Sequence, residues 1–230
     1  MKTRIYLVAA VMALMLTAGA GSAMASMTYS LTTDNCSGGC NPGAPGTSMG
    51  TVVLAQNTAV NPTGDVGVTI TLVSPLKFVN TGLDDVIDFN LTGSPTITVD
   101  NFTNTNFKLD SGTAGSHHFD GFGSFQYAIG LLASLGSGAG SAQPSPLSFD
   151  VHASGLTEGS FTTNTTDWFF GVDVINTTTG RTGPIGSDNG SGGTLSGGGA
   201  PVPEPASILL LGSVFLGLTT ILRKKSQRSA

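Results

Sequence analysis

Apolar and polar residues alternate with a period of two through the middle of this chain. Val66, Val68, Ile70 and Leu72 alternate with Gly67, Thr69, Thr71 and Val73. That is the pattern of a half-buried strand, because successive side chains of a strand point to opposite faces. Asn61-Pro62-Thr63-Gly64-Asp65 before it and Ser74-Pro75 after it supply turns. The same reading predicts strands over 51–55, 86–91, 96–99, 102–109, 121–128, 147–152 and 168–175. In the last of these, Trp168, Phe170, Val172 and Val174 share one face, and Phe169, Gly171, Asp173 and Ile175 the other. Phe125, Ile129 and Leu132 also fit a helical stripe, so one short helix is the alternative there. The body, residues 26–185, is expected to be mainly β, a β-sandwich or jelly-roll-like domain of about eight to ten short strands.

The pattern breaks at both ends. Lys2 and Arg4, the apolar stretch Ile5 to Leu16, and Ala23-Met24-Ala25 have the three parts of a signal peptide over residues 1–25. Ala23 and Ala25 are the expected cleavage-site residues, and a signal helix is expected before them. Residues 186–200 are mostly Gly, Ser, Asn and Thr, a flexible linker. Residues 201–228 then combine Val202, Pro203, Glu204 and Pro205 with the apolar run Ile208 to Leu222 and the basic residues Arg223, Lys224, Lys225 and Arg228. The run is short for a single transmembrane helix. Fifteen residues rise about 22 Å against a hydrocarbon core of roughly 30 Å. Ala206 and Ser207 extend it to the lower limit, and the basic tail would stop transfer on the cytoplasmic side.

A Pro-Glu-Pro motif, a short apolar helix and a basic end, in that order, closely resemble the PEP-CTERM sorting signal of Gram-negative bacteria. The resemblance implies an exosortase that recognises Pro203, Glu204 and Pro205 and cuts nearby. It also implies passage through the Sec export machinery and the inner membrane. The protein would be membrane-anchored at first, then at the cell surface or extracellular. Such a tail also bears the name ice-binding protein C-terminal domain, which describes the segment and says nothing about ice. In the body, Asn80 to Asp84, Val86 to Leu91, Asp120 to Phe125, Ser145 to Val151 and Thr179 to Gly183 resemble landmarks of exported PEP-CTERM proteins without assigned activity. The two prolines hold the approach to the apolar run extended, the conformation a protease requires.

Charge narrows the function of the body. Lys77, Lys108 and Arg181 face thirteen acidic residues between Asp34 and Asp188, an excess of ten negative charges. Nucleic-acid binding, which needs clustered Lys and Arg, is excluded. Cys36 and Cys40 flank Ser37-Gly38-Gly39 and are expected to form a local disulfide in an oxidising compartment. Gly46-Thr47-Ser48-Met49-Gly50 matches a nucleophile-elbow pattern but lacks the strand before and the helix after Ser48 that the elbow requires. His117 and His118 precede Asp120, but neighbouring residues on a strand face apart and do not readily share one ion. Asp84, Asp85 and Asp88 form the densest acidic group and are a weak candidate for structural calcium, without the spacing of an EF-hand. No cofactor and no catalytic residue is expected.

These readings lead to an exported cell-envelope or extracellular-matrix protein without enzymatic activity. Its expected role is structural or adhesive, in association with exopolysaccharide or biofilm. The alternative is a carbohydrate- or ligand-binding module, for which Tyr127 and Trp168 are the stacking candidates. A secreted hydrolase is the third class.

Overall fold

The computed structural model describes residues 26–44, 46–56, 64–82 and 85–187. The expected signal peptide, Asp84, residues 188–200 of the expected linker and the C-terminal segment with its apolar run lie outside the described residues, whereas Gly186 and Ser187, expected in the linker, end the last strand of the sheet. Among the described residues, no helix is long and apolar enough to cross a membrane.

The chain is mainly β. Its strands are β1 (Ser26–Asp34), β2 (Gly50–Gln56), β3 (Asp65–Leu72), β4 (Leu76–Phe78), β5 (Asp85–Leu91), β6 (Thr98–Asp100) and β7 (Phe107–Leu109). They continue with β8 (His117–Phe119), β9 (Gly123–Phe125), β10 (Tyr127–Leu131), β11 (Leu147–His152), β12 (Phe161–Thr162), β13 (Phe170–Asn176) and β14 (Thr182–Ser187). The alternation that marks residues 65–72 appears as burial: Val66, Val68 and Ile70 are enclosed, whereas Gly67 and Thr69 are half-buried and Thr71 is exposed.

The expected eight to ten strands in two sheets give way to a different arrangement. Twelve strands form one antiparallel sheet, with a main path β6-β11-β3-β2-β1-β14-β13-β5-β10-β7. Two short strands branch from it. β13 pairs with β5 through Phe170, Gly171 and Val172, then with β4 through Val174, Ile175 and Asn176. β5 in turn pairs with β12 beyond Phe89. The ends of the path, β6 and β7, lie side by side, and Ile97 N–H donates to Gly112 O at 2.7 Å next to them. The sheet is thus rolled and nearly closed around one core, as its twist allows. Leu31, Val52, Ile70, Phe89, Tyr127, Phe149, Phe170 and Ile185 belong to that core.

Three local expectations also change. Residues 102–109 turn through Asn104 and become a strand only at Phe107. Residues 121–128 divide between β9 and β10, and the helical alternative narrows to a 3-10 turn at Ala133–Leu135, with another at Gly138–Ser141. Trp168 precedes β13 and packs in a second cluster, while the Phe169 ring lies 4.7 Å from that of Tyr29, tilted by 42°. β14 was hidden by its composition, since Gly183, Pro184 and Gly186 read as turn residues. Pro184 is accommodated where the ladder with β1 runs out, and its carbonyl accepts Asn35 N–H at 3.0 Å.

Candidate functional site

β8 and β9 form a separate two-stranded hairpin with Asp120, Gly121 and Phe122 at its turn. Phe122 N–H donates to Phe119 O at 2.9 Å, and Gly121 takes a φ of 79° that favours glycine. Asn164 Nδ2 and Thr166 Oγ1 both donate to Phe122 O at 2.6 Å and pin the turn down. Phe119, Phe122 and Phe125 form the second apolar cluster, with Trp168 packed against it.

The floor beneath these rings is made of glycine. Gly171 and Gly186 are register partners on β13 and β14. A Cβ at Gly171 would stand 2.5 Å from the Phe119 ring, and one at Gly186 would stand 2.2 Å from that of Phe122. Only a surface without side chains at these two points lets the hairpin lie flat on the outside of the sheet.

Under the same hairpin the sheet carries buried acids. The ladder between β5 and β10 shifts register between Ile129 and Gly130, which leaves Val86 as an extra residue on β5. Such a bulge resets the alternation. Val86 and Ile87 both enter the main core, so Asp85 and Asp88, three residues apart, share the opposite face. Asp173 lies on that outer face of β13, two residues from Gly171. Asp110 N–H donates to Ala128 O at 3.0 Å, and Ala128 is the register partner of Asp88. Asp88, Ala128 and Asp110 therefore follow one another across three strands, with only a methyl group between the acids.

Each acid is held differently. His117 Nδ1 is 3.1 Å from Asp85 Oδ2 and 3.9 Å from Asp110 Oδ2. The ligand atoms of Asp85, Asp110 and His117 all lie within 4.8 Å of one another. Thr81 Oγ1 donates to Asp173 Oδ2. Burial pushes the Asp173 carboxyl up to about 7, against the hydrogen bonds from Thr81 and with the charges of Asp120 and Asp85. Asp88 is fully enclosed, and neither of its carboxylate oxygens has a hydrogen-bond partner among the described residues. Burial, followed by the charges of Asp85, Asp173 and Asp110, pushes it up to about 9. Beside these groups is a pocket of about 20 Å³ lined by Thr81, Asp85, His118, Phe119, Asp120, Asp173 and Pro184. That is room for one water-sized occupant.

The other candidates are placed elsewhere. Cys36 and Cys40 are joined in a disulfide with Cα atoms 5.6 Å apart. Asp34 accepts hydrogen bonds from the backbone N–H of Cys36, Cys40 and Asn41 at 2.8 to 3.0 Å and holds the loop. Ser48 is exposed, and its hydroxyl donates to Gly50 O at 2.7 Å. His118 points away from His117, towards Asp120 at 3.6 Å. Tyr127 is wholly enclosed, and Trp168 meets Phe122 edge-on at 4.8 Å. Ala23, Ala25, Val202, Pro203, Glu204, Pro205, Arg223, Lys224, Lys225 and Arg228 lie outside the described residues, as does Asp84. The sequence reading singled out Asp85 and Asp88 but missed Asp110, Asp173 and His117 as their neighbours. The available signal was an acid inside each of two otherwise apolar strands.

Comparison with known proteins places one segment. The family model of the PEP-CTERM protein-sorting motif matches residues 201–225 and does not reach the β domain. No curated protein and no solved structure matches the chain.

Proposed function

We propose, from the PEP-CTERM sorting motif at residues 201–225 that marks this chain for export and exosortase processing, that its β domain is a structural or adhesive element of the cell surface. The motif is the observation that carries this reading. It implies membrane anchoring before processing, and the domain it delivers is a nearly closed β roll suited to exposure outside the cell. Exopolysaccharide or biofilm matrix is the proposed surrounding, and no enzymatic activity is assigned to the domain. The binding-module alternative is weaker because its two aromatic candidates are used in packing, Tyr127 in the main core and Trp168 against Phe122.

Glu204, flanked by two prolines in the sequence, is proposed to pair with a basic group of the processing enzyme, and Glu204→Gln should then be processed more slowly. The decisive measurement is the intact mass and cell fraction of the protein in hosts with and without an exosortase. Loss of the C-terminal segment only in the presence of the enzyme is the expected result. An intact tail in both hosts would leave a plain membrane anchor. The matrix role is read separately: the processed domain should co-fractionate with extracellular polysaccharide, and free release into the medium would remove the adhesive reading.

A further inference from the structure

We propose that the β8–β9 hairpin is a pH-sensitive cover, which closes over Asp88 and Asp173 while their carboxyls are uncharged and swings off the sheet as they ionise. The inference goes beyond the sorting motif and does not depend on it.

Three observations carry it. The first is Asp88, fully enclosed and with no donor to either oxygen among the described residues. An ionised carboxylate buried without partners is too costly to hold, so the closed hairpin requires the neutral acid. Among the described residues, Asp88 belongs to no group of three His, Cys, Asp or Glu ligand atoms close enough for one ion, so the proton is what neutralises it. The second is that the hairpin does the enclosing. β8 and β9 both pack against β5, and the Phe119 ring occupies the place of a side chain at Gly171, the register partner of Asp88. Asp173, also buried, lines one small pocket with Phe119 and Asp120 of the hairpin. The third is that the hairpin is separable. It forms a two-stranded sheet of its own. Its two arms meet where Gly115 N–H donates to Gln126 O at 2.8 Å, a point about which it can swing as one piece. Its tip is held by the hydrogen bonds of Asn164 and Thr166 to Phe122 O and by ring packing.

The groups around the two acids fix the sign of the response. Asp85 on β5, Asp110 after β7 and Asp120 at the hairpin turn are acidic, and their charges oppose ionisation of Asp88 and Asp173. His117 and His118 of β8 face Asp85 and Asp120. Lys108 lies on β7, and Lys77 lies on β4 opposite Ile175. A carboxyl whose folded pKa is raised above its unfolded value of about 3.9 favours the closed form fully below that value. The preference is lost as pH rises through the folded pKa, about 7 for Asp173 and about 9 for Asp88. Within that window the ratio of closed to open hairpin falls by up to about tenfold per pH unit for each acid.

Trp168, the single tryptophan of the chain, packs edge-on against Phe122 and reports the position of the hairpin. The test is acrylamide quenching of its emission in the full chain, purified in mild detergent, between about pH 5 and pH 9, with far-UV circular dichroism recorded alongside. Quenching should rise with pH while the dichroism stays constant. In Asp88→Asn, an uncharged side chain of the same shape, the rise should move up by at least about one pH unit, a tenfold gain in the closed-to-open ratio. Asp150→Asn, on β11, should keep the profile of the parent. If the dichroism shows that Asp88→Asn does not fold, Asp173→Asn takes its place with the same expected direction. A flat profile, or one that the site substitution leaves in place and His117→Gln abolishes, would overturn the proposal. Loss of dichroism in step with quenching would also overturn it, since the whole domain would then be unfolding and not the hairpin alone.

Discussion

His152 shows how one side chain can link three strands. It lies on β11, its Nδ1 is 2.6 Å from Asp65 Oδ1 at the start of β3, and its Nε2 is 2.8 Å from Asp100 Oδ1 at the end of β6. Burial alone would lower its basicity, but hydrogen bonds to Asp100 and Asp65, with their charges, outweigh it and raise the pKa above 6.5. A folded-state pKa above the unfolded value means stabilisation that is complete below about 6.5 and is lost as pH rises through the folded value. His152→Gln should therefore be less stable than the parent by about 1 kcal/mol at pH 6, the size of a solvent-screened pair of charged hydrogen bonds. The gap should close at pH 9. Urea denaturation of both proteins at the two pH values measures it, and a gap independent of pH would mean that the imidazolium charge contributes nothing.

At the scale of elements, the β8–β9 hairpin depends on what the sheet beneath it lacks. The ring of Phe122 occupies the space a side chain at Gly186 would need, and Phe119 does the same at Gly171. Gly186→Ala is expected to destabilise the protein by about 1–3 kcal/mol, the usual cost of overpacking. Because Phe122 packs edge-on against Trp168, the native tryptophan emission should shift along with the denaturation midpoint. An unchanged midpoint and spectrum would mean that the hairpin is not seated on the sheet in this way.

Across the whole molecule, folding and sorting are carried by different stretches of chain. The hydrogen-bonded path from β6 to β7 is complete within residues 26–187, while the sorting motif occupies residues 201–225. A chain ending at Ala200 should accordingly keep the Tm of the full protein after export yet be released in soluble form. Differential scanning calorimetry and cell fractionation test the two halves of that statement. A lower Tm would show that the C-terminal segment contributes to the stability of the β domain.

The sequence by itself determined the β class, the position of most strands and the sorting motif. These are local properties: alternation of period two, turn residues, and the order of proline motif, apolar run and basic tail can each be read within a few residues. It also contained Asp84, Asp85 and Asp88 as a candidate acidic group, of which Asp85 and Asp88 are described residues. Only the tertiary structure decided that the strands join one rolled sheet, that Gly183 to Gly186 form a strand despite their composition, and that Asp110, Asp173 and His117 gather around that pair. Asp88 comes opposite Gly171, 83 positions away and two residues before Asp173, through the pairing of β5 with β13. Which strands pair, and on which face a bulge places a carboxylate, follows from packing of the whole sheet, and no short window of sequence contains that information.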